Sequence, residues 1–238
     1  MVVYRFGGGA LPVLLIGGIH GGYEWNTVML AYQMIDRLTT QPGDVPAGFA
    51  LYIVPSANPD GLFAVTGSDG RFAVGDVLDD TASGRLNANG VDLNRNWGCN
   101  WRPTAQWSGR TVSAGTQPFS EPETRALRDL ITAVKPHAVV MWHSAAGGVF
   151  AGGCGGRSVF DKSKALADVY AQAGGYVRDG SGPTGSDRFT AYPITGDAAN
   201  WISLQGIPAL DVELSAHDQT EFDENWRGVL AIIGALGS

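Results

Sequence analysis

The stretch Leu11-Pro12-Val13-Leu14-Leu15-Ile16-Gly17-Gly18-Ile19-His20-Gly21-Gly22-Tyr23-Glu24-Trp25 decides the architecture. Its first half is a short continuous apolar run closed by glycines, the pattern of a buried strand. A helix follows over 24–38, where Trp25, Val28, Met29, Tyr32, Met34, Ile35 and Leu38 recur at helical spacing on one broad face. A buried strand that turns tightly into an amphipathic helix is the unit from which α/β folds are built. The apolar run superficially resembles a signal-peptide core, but it leads straight into candidate metal-binding residues and reads as a strand.

Working outward, Val2 to Phe6 reads as a strand across a glycine-rich turn, and Phe49 to Val54, Ala138 to Trp142 and Ile207 to Leu214 read as further buried strands. Glu121 to Val134 reads as a helix opened by Ser120 as N-cap, with Glu123 at the capping-box position. Lys162 to Ala173 and Glu221 to Leu236 are two more helices. Between Pro55 and Ser120 the periodicity dissolves into Gly, Asn, Asp and Trp, and a loop region this long inside a compact domain is usually functional. The expectation is one α/β domain over residues 1–238, a mixed twisted β-sheet flanked by helices, with ligands gathered at the C-terminal ends of strands.

At 238 residues, with 44% hydrophobic and 16% charged residues, the chain can bury a full core. A net charge of −7 argues against a nucleic-acid surface and against attraction to an anionic membrane. No run of eighteen apolar residues exists, so no membrane span is expected. Cys99 and Cys154 lack the close pairing of a cysteine zinc site and are read either as a disulfide or as two buried thiols. The chain begins abruptly at its first hairpin, which leaves room for a trimmed secretion signal. A secreted or cell-envelope location is favoured over the cytoplasm.

Of the four histidines, His20 and His143 each end an apolar strand, where an imidazole needs a partner; a backbone carbonyl is one, a metal another. Glu24 lies close enough in chain to share an ion with His20, although an acid in a first helical turn also suits the helix dipole. Two histidines and one carboxylate form a three-ligand zinc site with an open fourth position, the arrangement of a catalytic site holding one Zn2+. His137 reads as a strand-entry residue and His217 as a loop residue.

The octet Gly90-Val91-Asp92-Leu93-Asn94-Arg95-Asn96-Trp97 resembles a signature of the zinc carboxypeptidase family typified by pancreatic carboxypeptidase A. Asn58-Pro59-Asp60-Gly61, Phe119-Ser120-Glu121-Pro122-Glu123-Thr124, His143-Ser144, Tyr192 through Trp201 and Asp211-Val212-Glu213-Leu214 occur in family order, so the similarity runs from about His20 to Glu213. It implies a peptide or peptidoglycan-stem substrate with a free C-terminal carboxylate. Asn94 and Arg95 would bind that carboxylate, Arg85 would stabilise the oxyanion, Glu213 would be the general base and Tyr192 would close over the substrate. The implied activities are hydrolysis of a C-terminal peptide bond by zinc-activated water or, in related branches, of a γ-D-glutamyl-diaminopimelate bond. A non-catalytic domain that binds peptides or glycans is the more distant alternative.

Three departures stand out. The family spacing His-x-x-Glu is here His-x-x-x-Glu, which calls for a bulge. Gly21, Gly22 and Tyr23 replace the arginine that grips the upstream peptide, and Ala145 and Ala146 follow His143-Ser144 where an aromatic is common. In the specificity region Ala199 holds the selector position, and Asp197 reads either as a cation-binding selector or as the N-cap of the helix carrying Trp201.

Overall fold

The computed structural model describes residues 1–154, 156–178 and 194–238. Its centre is a seven-stranded sheet in the order β1-β3-β2-β6-β9-β7-β8. The strands are β1 (Tyr4–Phe6), β2 (Leu11–Ile16), β3 (Phe49–Val54), β6 (Ala138–Ser144), β7 (Gly148–Ala151), β8 (Val177–Arg178) and β9 (Ala209–Leu214), while β4 (Thr104–Trp107) and β5 (Arg110–Ser113) pair as a separate hairpin. The four central strands β3, β2, β6 and β9 are mutually parallel, and β1 and β7 run antiparallel to β3 and β9. This is the mixed sheet expected from the apolar runs, because strands covered on both faces need no polar alternation.

Successive residues of a strand face opposite sides, so one run feeds two cores. Val13 and Leu15 pack with α1 (Trp25–Thr40), α4 (Arg157–Gly174) and α6 (Phe222–Gly237). Leu14 and Ile16 pack on the other face with α3 (Pro122–Val134), α5 (Ala198–Leu204) and the indole of Trp97. Leu14 and Leu15 are 0% and 1% exposed; truncating either to Ala costs about 2–5 kcal/mol.

Two expectations need correction. Ser120 is not the N-cap of α3: Glu121 holds that place and Pro122 is the first helical residue, where its missing N–H costs nothing. The Ser120 hydroxyl instead donates to Glu121 Oε1 at 2.6 Å. The region between Pro55 and Ser120 is also not structureless. It holds α2 (Pro59–Thr66), capped by Asn58 Oδ1 accepting from Gly61 N at 2.9 Å, and the β4–β5 hairpin, whose turn places Ser108 and Gly109 at φ 46° and 75°.

The extra residue between His20 and Glu24 is absorbed by one turn of 3-10 helix over Gly21–Glu24. Gly21 takes φ 48° there, and a Cβ on it would meet Gly84 O at 2.6 Å and Gly61 Cα at 2.9 Å. The turn is thus pressed backbone-to-backbone against the start of α2, which is why it requires glycine.

Candidate metal centre and its cavity

His20 follows β2, Glu24 ends the 3-10 turn and His143 lies near the end of β6. Thr27 pins the turn: its Oγ1 donates to Glu24 O at 2.8 Å and accepts from Gly18 N at 3.0 Å. The three side chains are almost fully buried, at 4%, 2% and 2% exposure. Glu24 Oε1 lies 2.7 Å from His20 Nδ1 and Oε2 lies 3.1 Å from His143 Nδ1, and one ligand atom from each residue falls within 4.8 Å of the other two. Two nitrogens and a carboxylate converging this tightly fit a zinc ion. The far nitrogens face carboxylates without hydrogen-bonding them: His20 Nε2 is 3.4 Å from Asp92 Oδ1 and His143 Nε2 is 3.5 Å from Asp211 Oδ1, the side on which metal-bound imidazoles are usually backed.

The electrostatics point the same way. Burial alone would raise the Glu24 carboxyl, yet His20 and His143 outweigh it and hold it well below its ordinary value. Burial alone would lower His143, but Glu24 and Asp211 raise it well above normal. Such a cluster calls for positive charge, which a divalent cation supplies.

A cavity of about 300 Å3 opens beside this cluster, lined among others by Tyr23, Arg85, Asn94, Arg95, Trp107, Asp197, Asp211, Glu213 and His217. Glu213 faces His143 in register on adjacent parallel strands. Burial, with Glu24 and Asp211 adding to it, pushes its carboxyl up to about 7 against the opposing pull of His143 and Arg85. Arg85 is buried and fixed: Nε donates to Asp92 Oδ2 at 3.0 Å, and its guanidinium lies 4.6 Å from the Trp107 ring centre. Its Nη1 reaches within 4.0 Å of Glu24 Oε1. Asp92, pulled well below its ordinary value by Arg85 and His20 despite complete burial, anchors both groups.

Asn94 and Arg95 line the cavity together. Asn94 Oδ1 accepts from Ala198 N at 2.9 Å and Arg95 Nη1 donates to Asn94 O at 2.7 Å, while Arg95 Nε is buried without a hydrogen-bond partner. Asp197 takes the N-cap place, one of the two alternatives left open for it. It caps α5 by accepting from Asn200 N at 2.9 Å, and it also lines the cavity, 3% exposed and raised in pKa by burial and by Asp211. Tyr192 lies outside the described residues. Cys99 and Cys154 form a disulfide with Cα atoms 6.5 Å apart, tying the loop beyond Arg95 to the segment before α4.

Sequence reasoning missed three residues here. Asp92 stands inside the octet, two residues before Asn94. Asp211 stands two residues before Glu213, and strand alternation would have put both on one face. His217 lies in a loop, as the sequence reading has it, and it also lines the cavity, which nothing local announces.

A sequence profile of the zinc carboxypeptidase family matches residues 7–227. The chain belongs to the zinc carboxypeptidase family. Zinc is the metal of that family, and the His20, Glu24 and His143 donors fit it. Carboxypeptidase B of Astacus astacus is 32% identical over 131 residues, 52% of this chain and 42% of the relative. Murein peptide amidase A of Escherichia coli K12 is 43% identical over 74 residues, 25% of this chain and 28% of the relative. The chain therefore spans less than half the length of these curated relatives. In three dimensions this zinc carboxypeptidase fold is similar to carboxypeptidase A of Helicoverpa armigera (TM-score 0.69, 21% identity, covering 94% of this chain and 61% of the other). It is also similar to bovine thrombin-activatable fibrinolysis inhibitor (0.74, 19%, 99% and 85%) and to murein-tripeptide amidase of E. coli O157 (0.60, 21%, 94% and 81%).

Proposed function

We propose that the chain is a zinc-dependent metallocarboxypeptidase that hydrolyses the C-terminal peptide bond of a peptide. The observation carrying this reading is that one cavity holds the buried His20, Glu24 and His143 donors, the Glu213 carboxylate and the Asn94–Arg95 pair. Bound by the three donors, zinc supplies Lewis-acid polarisation of the carbonyl and a more acidic attacking water. Arg95, with a buried and unpartnered Nε, and Asn94 grip the terminal carboxylate through charge-assisted hydrogen bonds. Glu213, with its carboxyl raised to about 7, accepts a proton from the attacking water near neutral pH and returns it to the leaving amine. Arg85, held rigid by Asp92, presents its guanidinium to the oxygen that gains negative charge, worth about 3–4 kcal/mol on the scale of one oxyanion donor. Tyr192 closes over the substrate, a role that rests on the resemblance alone.

Hydrolysis of a peptidoglycan-stem γ-D-glutamyl-diaminopimelate bond is the second reading. It is favoured by the likeness to murein peptide amidase A and by Asp197 and Asp211 in the same cavity as the carboxylate-binding pair, where a side-chain ammonium would be welcome. Assaying hippuryl-Lys, hippuryl-Arg and hippuryl-Phe beside the stem tripeptide separates the two. Cleavage of the hippuryl substrates supports the carboxypeptidase, and cleavage of the tripeptide alone supports the amidase.

A further inference from the structure

The loop after β9 carries a hydrogen-bond chain whose direction can be assigned atom by atom. Asn26 Nδ2 donates to Ala216 O at 2.8 Å and to Gln219 O at 2.9 Å. Carbonyl oxygens only accept, so the amide orientation of Asn26 is fixed and its Oδ1 is an acceptor. Ser144 Oγ lies 2.9 Å from that Oδ1 and must spend its single proton there. The same Oγ lies 3.0 Å from His217 Nδ1, so it accepts, and Nδ1 of His217 carries the proton. In the neutral ring the Nε2 lone pair is then left over, and no described residue makes a hydrogen bond with it.

This ring lies in a cavity wall that also holds Tyr23, 4.9 Å away between ring centres, and Trp107, 5.0 Å beyond Tyr23. The Asn94–Arg95 pair is tied instead to α5, through Ala198 N. On the carboxypeptidase reading, on which this inference rests, the terminal carboxylate sits at that pair and the scissile carbonyl at the metal donors. The chain upstream of the carbonyl then runs along the Tyr23, Trp107 and His217 wall. The first polar hydrogen it offers there is the α-amide N–H of the residue contributing the carbonyl.

We propose that His217, oriented by Ser144 and Asn26, is a substrate-positioning residue whose Nε2 accepts this upstream α-amide N–H. The class of substrate follows. An ordinary α-peptide has the donor, whereas a γ-glutamyl link has a methylene at that place, so His217 favours α-linked peptides.

The test pairs enzyme and substrate changes. Wild type, His217→Ala and His217→Gln are assayed on benzoyl-glycyl and benzoyl-sarcosyl substrates that differ only in an N-methyl replacing the amide hydrogen, each ending in the residue the enzyme cleaves best. Wild type is expected to lose at least about tenfold in kcat/KM on N-methylation, in the range of a buried donor left without its partner. His217→Ala should fall only on the N–H substrate, bringing the two substrates within about threefold, while Gln, whose amide oxygen can accept, recovers part of the loss. Zinc content should match wild type throughout. An equal fall on both substrates, or an N-methyl penalty that survives in His217→Ala, overturns the assignment and leaves the carboxypeptidase reading intact. Cleavage of the γ-D-glutamyl tripeptide with no cleavage of either blocked dipeptide overturns both.

Discussion

Glu24 Oε2 lies 3.1 Å from His143 Nδ1, although 119 residues separate the two in sequence. The 3-10 turn over Gly21–Glu24 delivers the carboxylate, and the end of β6 delivers the imidazole. Everything that can be tested about the chemistry starts from this contact.

Metal removal comes first. Zinc bound to the native state alone stabilises it by RT ln(1 + [L]/Kd), about 4 kcal/mol at a thousandfold excess over Kd. Purified protein should carry one zinc per chain, chelation should lower Tm by several degrees, and Glu24→Ala should lose stoichiometric zinc. A Tm indifferent to chelator, measured by calorimetry, would falsify the site.

Glu213→Gln should keep the fold and the zinc and lose about 10²–10⁴ in kcat, the usual weight of a general base. In wild type kcat/KM should fall as pH drops through the Glu213 pKa, at about 7 or lower, because bound zinc favours the anion. Stability has the opposite sign. A carboxyl raised from 4.5 to about 7 in the fold contributes stability below 4.5 that disappears as pH climbs through 7. Metal-free Glu213→Gln should therefore gain on wild type as pH rises through that window, reaching roughly 1–3 kcal/mol by pH 8. Parallel denaturation curves for the two proteins at pH 5 and pH 8 give the comparison.

Asp92→Asn removes the anion behind His20 Nε2 and the ion pair that holds Arg85. Zinc affinity should fall about 10–100-fold, the usual effect of losing a carboxylate behind a metal-bound imidazole. Competition with a chromogenic chelator measures it, and an unchanged Kd sinks the anchoring role.

Asp211→Asn should lower kcat/KM for hippuryl-Lys and hippuryl-Arg relative to hippuryl-Phe. Asp211 Oδ1 is buried without a hydrogen bond, and both Asp211 and Asp197 line the cavity. Because α5 needs Asp197 as its cap, Asp197→Ala would also cost about 1 kcal/mol of stability. Equal losses on all three substrates would remove charge selection from Asp211.

The central strands were legible because each is an uninterrupted apolar run. Phe49–Val54 forms over the residues read from sequence, and β6 extends that reading by two residues to Ser144. The helix at Pro59–Thr66 carries a local signal, with Asn58 at the cap and Pro59 at the first position. Gly148–Ala151 is four residues long, too short for any period to show, and only pairing with β9 makes it a strand.

The sequence by itself determined the strand and helix alternation, the family signature and the candidate donors His20, Glu24 and His143, because apolar period, turn residues and ligand chemistry are local properties. Tertiary structure alone decided what each donor meets. Asp92 came to stand behind His20, Asp211 behind His143, and Ser144 and Asn26 came to direct the ring of His217. Those partners lie from 68 to 191 residues apart or on neighbouring strands, and no local pattern encodes a meeting that the sheet order and the crossing of loops bring about.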